Sequence, residues 1–246
     1  MLSELLYAQR GWFKAFNVFH YITFRSAVGA LAAFLCCFVL LPWWIRLFRA
    51  RGWGQVIRSD GPQSHGAKAG TPTMGGLIAI GAVAAGLVCW ASPANPLIWL
   101  TLAALGWFGG IGAVDDALKL RERHPRGLSV TSKLLWQTLG ALVLAVVYLL
   151  TSSQGIERAS LLSLPFLKQP VGIPVWLYLF LAVFVMVGTT NAVNLTDGLD
   201  GLAAGLLALT GSGVGVMAYI VGNRIFSGYL RIPYVPEAAE LAVVSA

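Results

Sequence analysis

The stretch LIWLTLAALGWFGGIGAVDDALK occupies residues 97–119 and decides the fold class. Its first eighteen residues carry no charge, and about 20 such residues, as a helix, span the hydrocarbon core of a bilayer. Two adjacent carboxylates, Asp115 and Asp116, follow directly. The sequence therefore predicts a membrane helix that ends in charge, and an ionisable residue at that depth by default marks a functional site.

The rest of the chain has the same apolar character. Of its 246 residues, 57% are hydrophobic and 11% are charged, and the mean hydropathy is +0.75, whereas soluble domains are roughly 45–50% apolar and 25% charged. We predict an all-α, polytopic transmembrane protein with one domain over residues 1–246, and a seventh span that begins near Glu240. The six full spans are expected near residues 26–48, 75–94, 97–115, 133–152, 173–192 and 201–222.

The distribution of charge predicts the orientation in the membrane. Short cytoplasmic loops are enriched in Lys and Arg, and ten of the seventeen basic residues fall in two alternate inter-helix segments. These segments are predicted to be cytoplasmic and the N-terminus to lie outside, so the net charge of +7 does not indicate nucleic acid as a partner. The ten cations are Arg46, Arg49, Arg51, Arg58, Lys68, Lys119, Arg121, Arg123, Arg126 and Lys133.

Three cysteines are present, and they predict neither a disulfide framework nor a metal site. Cys36 and Cys37 are adjacent in one apolar run and Cys89 lies in another, so we expect small core residues. Residues 1–20 lack the apolar core and small-residue cleavage site of a signal peptide. The first span is therefore expected to be retained.

The carboxylate pair Asp115 and Asp116 predicts a magnesium site. Two adjacent carboxylates repel each other and stay ionised together most readily beside a cation. Mg²⁺ is usually bound by one or two carboxylates together with substrate phosphates. Lys119 lies four residues after Asp115, on the same helical face, and is predicted to pair with it or with a phosphate. The alternative is a solvated helix end with no function.

A second polar cluster occurs in the segment NAVNLTDGLDG at residues 191–201. Asn191, Asn194, Asp197 and Asp200 recur at intervals of three, which on a helix forms one polar stripe. Such a stripe could hold a nucleotide or a metal-bound phosphate. Alternatively, Asp197 is the N-cap of the next span and Asp200 lies in its first turn.

The third segment, SHGAKAGTPTMGG at residues 64–76, combines a histidine, a lysine and hydroxyls with glycines just before a predicted helix. Glycine permits close backbone approach, and a helix N-terminus with a nearby lysine favours an anion. His65, Lys68 and Thr73 are therefore candidate substrate-binding residues. The alternative is a Gly/Pro turn that enters the membrane, with His65 as a surface histidine.

Taken together, these segments resemble the polyprenyl-phosphate N-acetylhexosamine-1-phosphate transferase superfamily, and within it the branch that uses UDP-N-acetylmuramoyl-pentapeptide. The resemblance rests on FNVFHYITFR at 16–25, GQVIRSDGPQSH at 54–65, and the segments at 68–76, 114–119 and 188–201. These motifs stand in the order of the superfamily and extend over essentially the whole chain.

The resemblance implies that UDP-N-acetylmuramoyl-pentapeptide and undecaprenyl phosphate give lipid I and UMP, with Mg²⁺ as cofactor. The site would lie on the cytoplasmic face of the bacterial inner membrane, and a homodimer is compatible with the resemblance. Asp115 and Asp116 would hold the metal or position the acceptor phosphate, with Lys119 as the third catalytic residue. The implied substrate-binding residues are His65, Lys68, Thr73, Lys133, Asn191, Asn194, Asp197 and Asp200.

The sequence departs from the superfamily after the sixth span. Members have about ten spans, a further catalytic Asp in a Gly-Asp-x-Gly-Ser context and a His-rich cytoplasmic loop. No Asp follows Asp200 and no His follows His124. We therefore expect the chain to correspond to about the first two-thirds of the family fold, and a catalytically inactive fragment stays an alternative.

Two further alternatives are a sister transferase that uses UDP-N-acetylglucosamine and a secondary transporter. The run of His, Lys, Gly, Thr and Pro over residues 65–76 argues against the sister enzyme. Transporters also coordinate ions with intramembrane polar residues, but typically at mid-membrane and between internal repeats. Here no internal repeat is visible, and every Asp falls in a segment assigned to the cytoplasm.

Overall fold

Helices account for almost all of the structure, a computed structural model that describes residues 1–52, 74–122, 127–164, 167, 169–197 and 201–246. The α-helices are α1 Leu2–Ala8, α2 Ile22–Ala50, α3 Gly75–Trp90, α4 Pro96–Glu122, α5 Val130–Thr151, α6 Gly155–Ala159, α7 Val175–Thr196, α8 Leu202–Val221, α9 Arg224–Leu230 and α10 Leu241–Ser245. The 3₁₀ segments are Gln9–Gly11, Lys14–His20 and Pro236–Glu240. Strands β1 (Leu161–Leu162) and β2 (Val171–Gly172) form an antiparallel pair with Leu161 opposite Gly172.

The prediction of an all-α polytopic membrane protein is confirmed. Helices α2, α4, α5, α7 and α8 are each long and apolar enough to cross a membrane. Helix α4 continues to Glu122 and α7 to Thr196, beyond the ends of the predicted spans, and α2 and α5 begin before the predicted starts, at Ile22 and Val130. The longer α4 places Lys119 on the same helix as Asp115, and the longer α7 places Asn194 on the same helix as Asn191. As predicted, a further helix, α10, begins directly after Glu240.

The span expected near residues 75–94 is shorter than predicted. Helix α3 has 16 residues and ends at Trp90, which corresponds to about 24 Å at 1.5 Å per residue. Ala91 is already extended, and Ser92 precedes Pro93, a position at which the α conformation is disfavoured. The proline therefore ends the helix one turn before the hydropathy falls.

Successive long helices run in opposite directions, so the bundle has two faces. The beginning of α2, the end of α3 and the beginning of α10 meet at one face, where Arg25 Nη1 donates to the carbonyl of Trp90 at 3.1 Å and to Glu240 Oε2 at 2.9 Å. We call this the Arg25 face. The end of α4 and the beginning of α5 meet at the other, which we call the Asp115 face.

Most large apolar side chains lie on the outside of the bundle. Phe38, Leu150 and Leu209 are each about 70% exposed, as expected where lipid rather than water is the solvent. The buried core is correspondingly small and contains Leu87, Ala91, Ile98 and Val243. This core lies at the Arg25 face, and further buried residues, among them Gln137 and Ala141, lie along α5.

Candidate active site

Asp115 is the most enclosed charged residue at the Asp115 face among those the structure describes, with 6% of its surface exposed. Its Oδ2 lies 2.7 Å from Lys119 Nζ and 3.8 Å from Lys133 Nζ. Its Oδ1 accepts a hydrogen bond from the Leu128 amide at 2.8 Å. The predicted pairing of Lys119 with Asp115 is thus present in the structure, and the carboxylate is surrounded by donors.

Asp116 has a different environment although it is the next residue. Lys119 Nζ donates to its Oδ1 at 3.1 Å, and both side chains remain 35% exposed. Consecutive helical residues point in directions about 100° apart, so the two carboxylates face different neighbours. Asp115 faces α5, whereas Asp116 borders an open cavity and can meet a ligand.

The segment that begins α5 is ordered by an N-cap. Ser129 Oγ accepts a hydrogen bond from the Ser132 amide at 3.1 Å, which satisfies one of the free N–H groups of the first turn. The cap fixes the start of the helix and thereby the position of Lys133 within its first turn. Lys133 is 19% exposed and is directed toward Asp115.

Helix α7 carries part of the predicted polar stripe, and its residues have separate environments. Asn191 Nδ2 donates to Gln137 Oε1 of α5 at 2.8 Å and to the Val187 carbonyl at 2.9 Å. Gln137 is 1% exposed, so this contact joins two helices inside the bundle. Asn194 and Asp197 are exposed at the end of the helix. The stripe is therefore divided into a structural contact and an accessible end.

The alternative role considered for Asp197, as the N-cap of the next span, is wrong. Asp197 is the C-cap of α7, and its amide donates to the Val193 carbonyl at 3.1 Å. Helix α8 begins at Leu202, and its N-cap is Gly201 in the left-handed region with φ of 79°. Since α7 continues past residue 192, Asp197 ends one helix rather than starting the next.

A cavity of about 560 Å³ lies between α3, α4, α7 and α8, with Asp116 in its lining. Its walls are mainly apolar and its other polar side chains are threonines, the composition of a small-molecule pocket with a few polar groups. It connects the carboxylate end of α4 with the membrane-embedded part of the bundle. Its lining includes Met74, Gly76, Leu77, Thr101, Phe108, Asp116, Thr189, Thr190 and Leu207.

A divalent cation fits this site only in company with a ligand. In the described part of the chain, no group of three or more His, Cys, Asp or Glu residues comes together to hold a metal ion. Asp115 and Asp116 both contact Lys119 Nζ, and the accessible carboxylate is that of Asp116. One or two carboxylates plus phosphate oxygens are a usual set for Mg²⁺, so the donor set suits a metal shared with a phosphorylated substrate.

Four of the sequence-predicted site residues lie outside the described residues. They are His65, Lys68, Thr73 and Asp200. The structure places the other predicted residues at one face, with contacts that join α4, the Gly127–Leu128 backbone, α5 and α7. Of these residues, Asp115, Lys119 and Lys133 form one cluster, whereas Asn191 is joined to α5 through Gln137.

Sequence reasoning missed several contributors to this face. Gln137 is a polar residue within an apolar span, and that signal alone could have identified it. It also lies four residues after Lys133, on the same helical face. The Leu128 amide and the approach of Gly127 to Asp115 are backbone features, which residue identities do not reveal.

The fold and the site together define a polytopic membrane protein with a carboxylate–lysine cluster where an apolar cavity opens at one face. The chain belongs to glycosyl transferase family 4, which matches residues 97–233. Residues 68–79 also match phospho-N-acetylmuramoyl-pentapeptide-transferase signature 1. The described end of that signature includes Met74, Gly76 and Leu77, which line the cavity beside Asp116.

Curated relatives match nearly the whole chain. The phospho-N-acetylmuramoyl-pentapeptide-transferase of Desulfotalea psychrophila is 45% identical over 99% of the chain, which covers 67% of that protein. The proteins of the same name from Citrifermentans bemidjiense and Desulfosudis oleivorans are 44% and 45% identical, with the same coverage. By this resemblance the chain is a transferase of phospho-N-acetylmuramoyl-pentapeptide or of another sugar 1-phosphate handled by the family.

Proposed function

We propose that the protein transfers phospho-N-acetylmuramoyl-pentapeptide from UDP-N-acetylmuramoyl-pentapeptide to undecaprenyl phosphate, giving lipid I and UMP. The site would lie on the cytoplasmic face of a bacterial inner membrane. One observation carries the proposal: two carboxylates and two lysines meet beside a membrane-embedded cavity whose lining includes the end of the signature segment. The relatives, which are phospho-N-acetylmuramoyl-pentapeptide-transferases by name, support the choice of donor.

The reaction joins two anionic phosphates, so its main requirement is positive charge. An oxygen of the acceptor phosphate forms a bond to the phosphorus next to the sugar, and the bond from that phosphorus to the bridging oxygen of UMP breaks. The ammonium groups of Lys119 and Lys133 both lie within 4 Å of Asp115 Oδ2. Their ammonium groups would stabilise charge on the phosphates as they approach and separate.

The two carboxylates would have different roles. Asp115 is enclosed by the Leu128 amide and both ammonium groups, so it would orient the lysines. Asp116 borders the cavity and is one-third exposed, so it would meet the substrate phosphates. Direct in-line attack by the acceptor and a covalent phospho-aspartate on Asp116 are both compatible with this placement.

We include Mg²⁺ in the proposal because one or two carboxylates together with substrate phosphate oxygens are a usual set of ligands for this ion. Asp116, with Asp115 behind it, would hold the ion. When bound, Mg²⁺ would neutralise charge on the leaving UMP. The binding has a readout independent of activity: Mg²⁺ with the UDP-linked donor should raise the melting temperature of the wild-type protein, and should raise that of Asp116→Asn much less.

Asn194 and Asp197 are proposed to contact the uridine or its ribose. Both are exposed at the end of α7, whereas Asn191 is engaged with Gln137. We therefore assign nucleotide binding to the exposed end of the stripe and not to all of its residues. Alanine at Asn194 should raise the KM for the UDP-linked donor with little change in kcat, because the uridine does not react.

The test is UMP release by purified protein in detergent with undecaprenyl phosphate and Mg²⁺. We expect release with UDP-N-acetylmuramoyl-pentapeptide and none with UDP-N-acetylglucosamine, and Asp116→Asn should reduce the rate by about 10²–10³-fold. The matched control is Glu237→Gln, the same chemical change on the Arg25 face, where Glu237 contacts Ser153. Release with UDP-N-acetylglucosamine alone would favour the sister enzyme, and release with neither donor would contradict the proposal.

A further inference from the structure

The backbone between α4 and α5 comes unusually close to Asp115. Gly127 has a positive φ of 55°, and a Cβ at this position would lie 2.5 Å from Asp115 Oδ1 and 2.9 Å from Lys119 Cε. Real Cβ atoms essentially never approach another heavy atom this closely. Only glycine therefore fits here with Asp115 and Lys119 in their observed positions.

The close approach brings a backbone donor to the carboxylate. The next amide, that of Leu128, donates to Asp115 Oδ1 at 2.8 Å. The other oxygen, Oδ2, is left for Lys119 at 2.7 Å and Lys133 at 3.8 Å. The two oxygens thus have separate partners, one fixed by backbone and the other shared between two flexible lysines.

A backbone donor defines the orientation of a carboxylate better than a lysine does. The Lys ammonium is a compact charge on a flexible four-carbon stem, whereas the Leu128 amide is part of the backbone and directly precedes Ser129, the N-cap of α5. Fixing Oδ1 restricts rotation of the carboxylate about its Cβ–Cγ bond. Oδ2 is consequently directed toward the lysines.

We propose that Gly127 is a positioning residue for phosphoryl transfer. Its missing side chain lets the backbone reach Asp115, so that the Leu128 amide orients the carboxylate, which in turn holds Lys119 and Lys133 where the substrate phosphates bind. The inference rests on the proposed function, because it assumes that these lysines meet phosphates. Gly127 itself touches no substrate.

A glycine with positive φ can also be needed for its backbone conformation alone, and two substitutions separate these roles. Alanine at position 127 introduces both a Cβ and an unfavourable φ. Asparagine introduces the same Cβ but tolerates the left-handed region much better. If only φ matters, Gly127→Asn should be much closer to wild type than Gly127→Ala. If the approach to Asp115 matters, both variants should be impaired to a similar degree.

Gly155 provides a matched control on the opposite face. Its φ is 78°, and a Cβ there would have no neighbour within 4 Å. Gly155→Ala therefore introduces unfavourable backbone conformation without a steric contact. Its loss of thermal stability measures the contribution of φ alone, and its UMP release should match wild type.

The first measurement is steady-state kinetics of UMP release. Both Gly127→Ala and Gly127→Asn should lower kcat about 10–100-fold, the usual effect of losing a partner that orients a functional ligand. KM for the UDP-linked donor should change less than threefold, because the exposed end of α7 is untouched. Wild-type kcat in Gly127→Asn would overturn the proposal.

The second measurement is hydrogen–deuterium exchange at the Leu128 amide, resolved by fragmentation of the peptide that contains it. We expect protection in wild type, and at least tenfold faster exchange in Asp115→Ala and in both Gly127 variants. Equal exchange in wild type and Asp115→Ala would overturn the proposal, because the amide would then have no bond to the carboxylate. This readout needs no turnover, so it is distinguishable from a failure of the proposed function, in which wild type would release no UMP.

Discussion

Arg25 with Glu240 and Asp115 with Lys119 are both ion pairs at the ends of membrane helices, but they are built differently. At the Arg25 face one guanidinium meets one carboxylate through two bonds, and the two side chains are 8% and 11% exposed. At the Asp115 face two carboxylates share Lys119, Asp115 also lies near Lys133, and Asp116 and Lys119 are each 35% exposed.

The difference lies in what each cluster leaves available. Glu240 Oε2 accepts from the Ser92 amide at 3.1 Å as well as from Arg25, and Arg25 also donates to Trp90, so the first pair joins α2, α3 and the start of α10. The Asp115 cluster keeps accessible groups beside a cavity. An ionisable residue at membrane depth is a functional hypothesis by default, and the comparison limits that hypothesis to clusters with accessible groups.

The largest expected effect comes from breaking the buried ion pair of Arg25 and Glu240. Glu240→Ala leaves the Arg25 guanidinium buried without its carboxylate, and such a loss typically destabilises a protein by about 3–5 kcal/mol. The measurement is the unfolding free energy in mixed micelles. We expect UMP release to fall only in proportion to the folded fraction.

The control for this prediction replaces both charges. Arg25→Met with Glu240→Leu removes the uncompensated charge and keeps apolar volume, and should recover most of the lost stability. If the double variant were as unstable as Glu240→Ala, the pair would not be acting through its charges. If either variant lost activity while fully folded, the comparison between the two faces would fail.

Lys119→Met should have the opposite profile. It removes the cation shared by Asp115 and Asp116, so we expect about a 10²-fold lower rate of UMP release. The unfolding free energy should fall by less than in Glu240→Ala, because Lys119 is 35% exposed and Asp115 keeps the Leu128 amide and Lys133 as partners. A variant that unfolds instead of losing activity would show that this cluster is structural too.

The matched substitution Lys119→Arg preserves the charge but presents it on a planar, longer group. It should therefore keep the fold and recover only part of the rate. Full recovery would indicate that charge alone is needed at this position. No recovery would indicate that the compact ammonium is required between the two carboxylates.

A smaller effect is expected for the hydrogen bond between Gln137 and Asn191. This contact lies toward the Asp115 face, but it is made inside the bundle. Hydrogen bonds between membrane helices contribute about 0.6 kcal/mol on average and at most about 1.7. A double-mutant cycle of Gln137→Leu and Asn191→Leu should give a coupling energy in that range. A coupling near zero, together with a raised KM for the UDP-linked donor in Asn191→Leu, would instead assign Asn191 to the nucleotide.

Sequence patterns predicted the fold better than they predicted the contacts. Hydropathy identified the long helices because a bilayer selects for apolar length, and it missed the end of α3 because Pro93 acts on conformation rather than hydropathy. The pairing of Asp115 with Lys119 followed from helical spacing. Arg25 and Glu240 are separated by 215 positions, and no local pattern joins residues so far apart.

The parts of the site that were missed are those made by the backbone or by packing. The Leu128 amide and the close approach of Gly127 depend on how one turn folds over a neighbouring helix. The division of the α7 stripe into Asn191 and the exposed Asn194 depends on where α5 packs. Both require the relative placement of helices, which the residue pattern within one segment does not contain.

The smallest expected effect compares two side-chain N-caps, one from each face. Ser129 caps α5 at the Asp115 face, and Asn223 caps α9 at the Arg25 face, where its Oδ1 accepts from the Ile225 amide at 3.0 Å. Each change to alanine should lower the unfolding free energy by about 0.5–1 kcal/mol, the lower end of the range for lost caps. The two variants should therefore have similar stability.

Their activities should nevertheless differ, because only one cap holds a residue of the site. Ser129→Ala loosens the first turn of α5, which contains Lys133 and follows the Leu128 amide, so we expect a two- to fivefold lower rate of UMP release. Asn223→Ala should release UMP at the wild-type rate, and Ser129→Asn should restore both stability and rate because Asn is an equally good N-cap. Equal rates in the two alanine variants would mean that the N-cap of α5 does not help to position the lysines. That result would contradict the distinction between a structural face and a functional one.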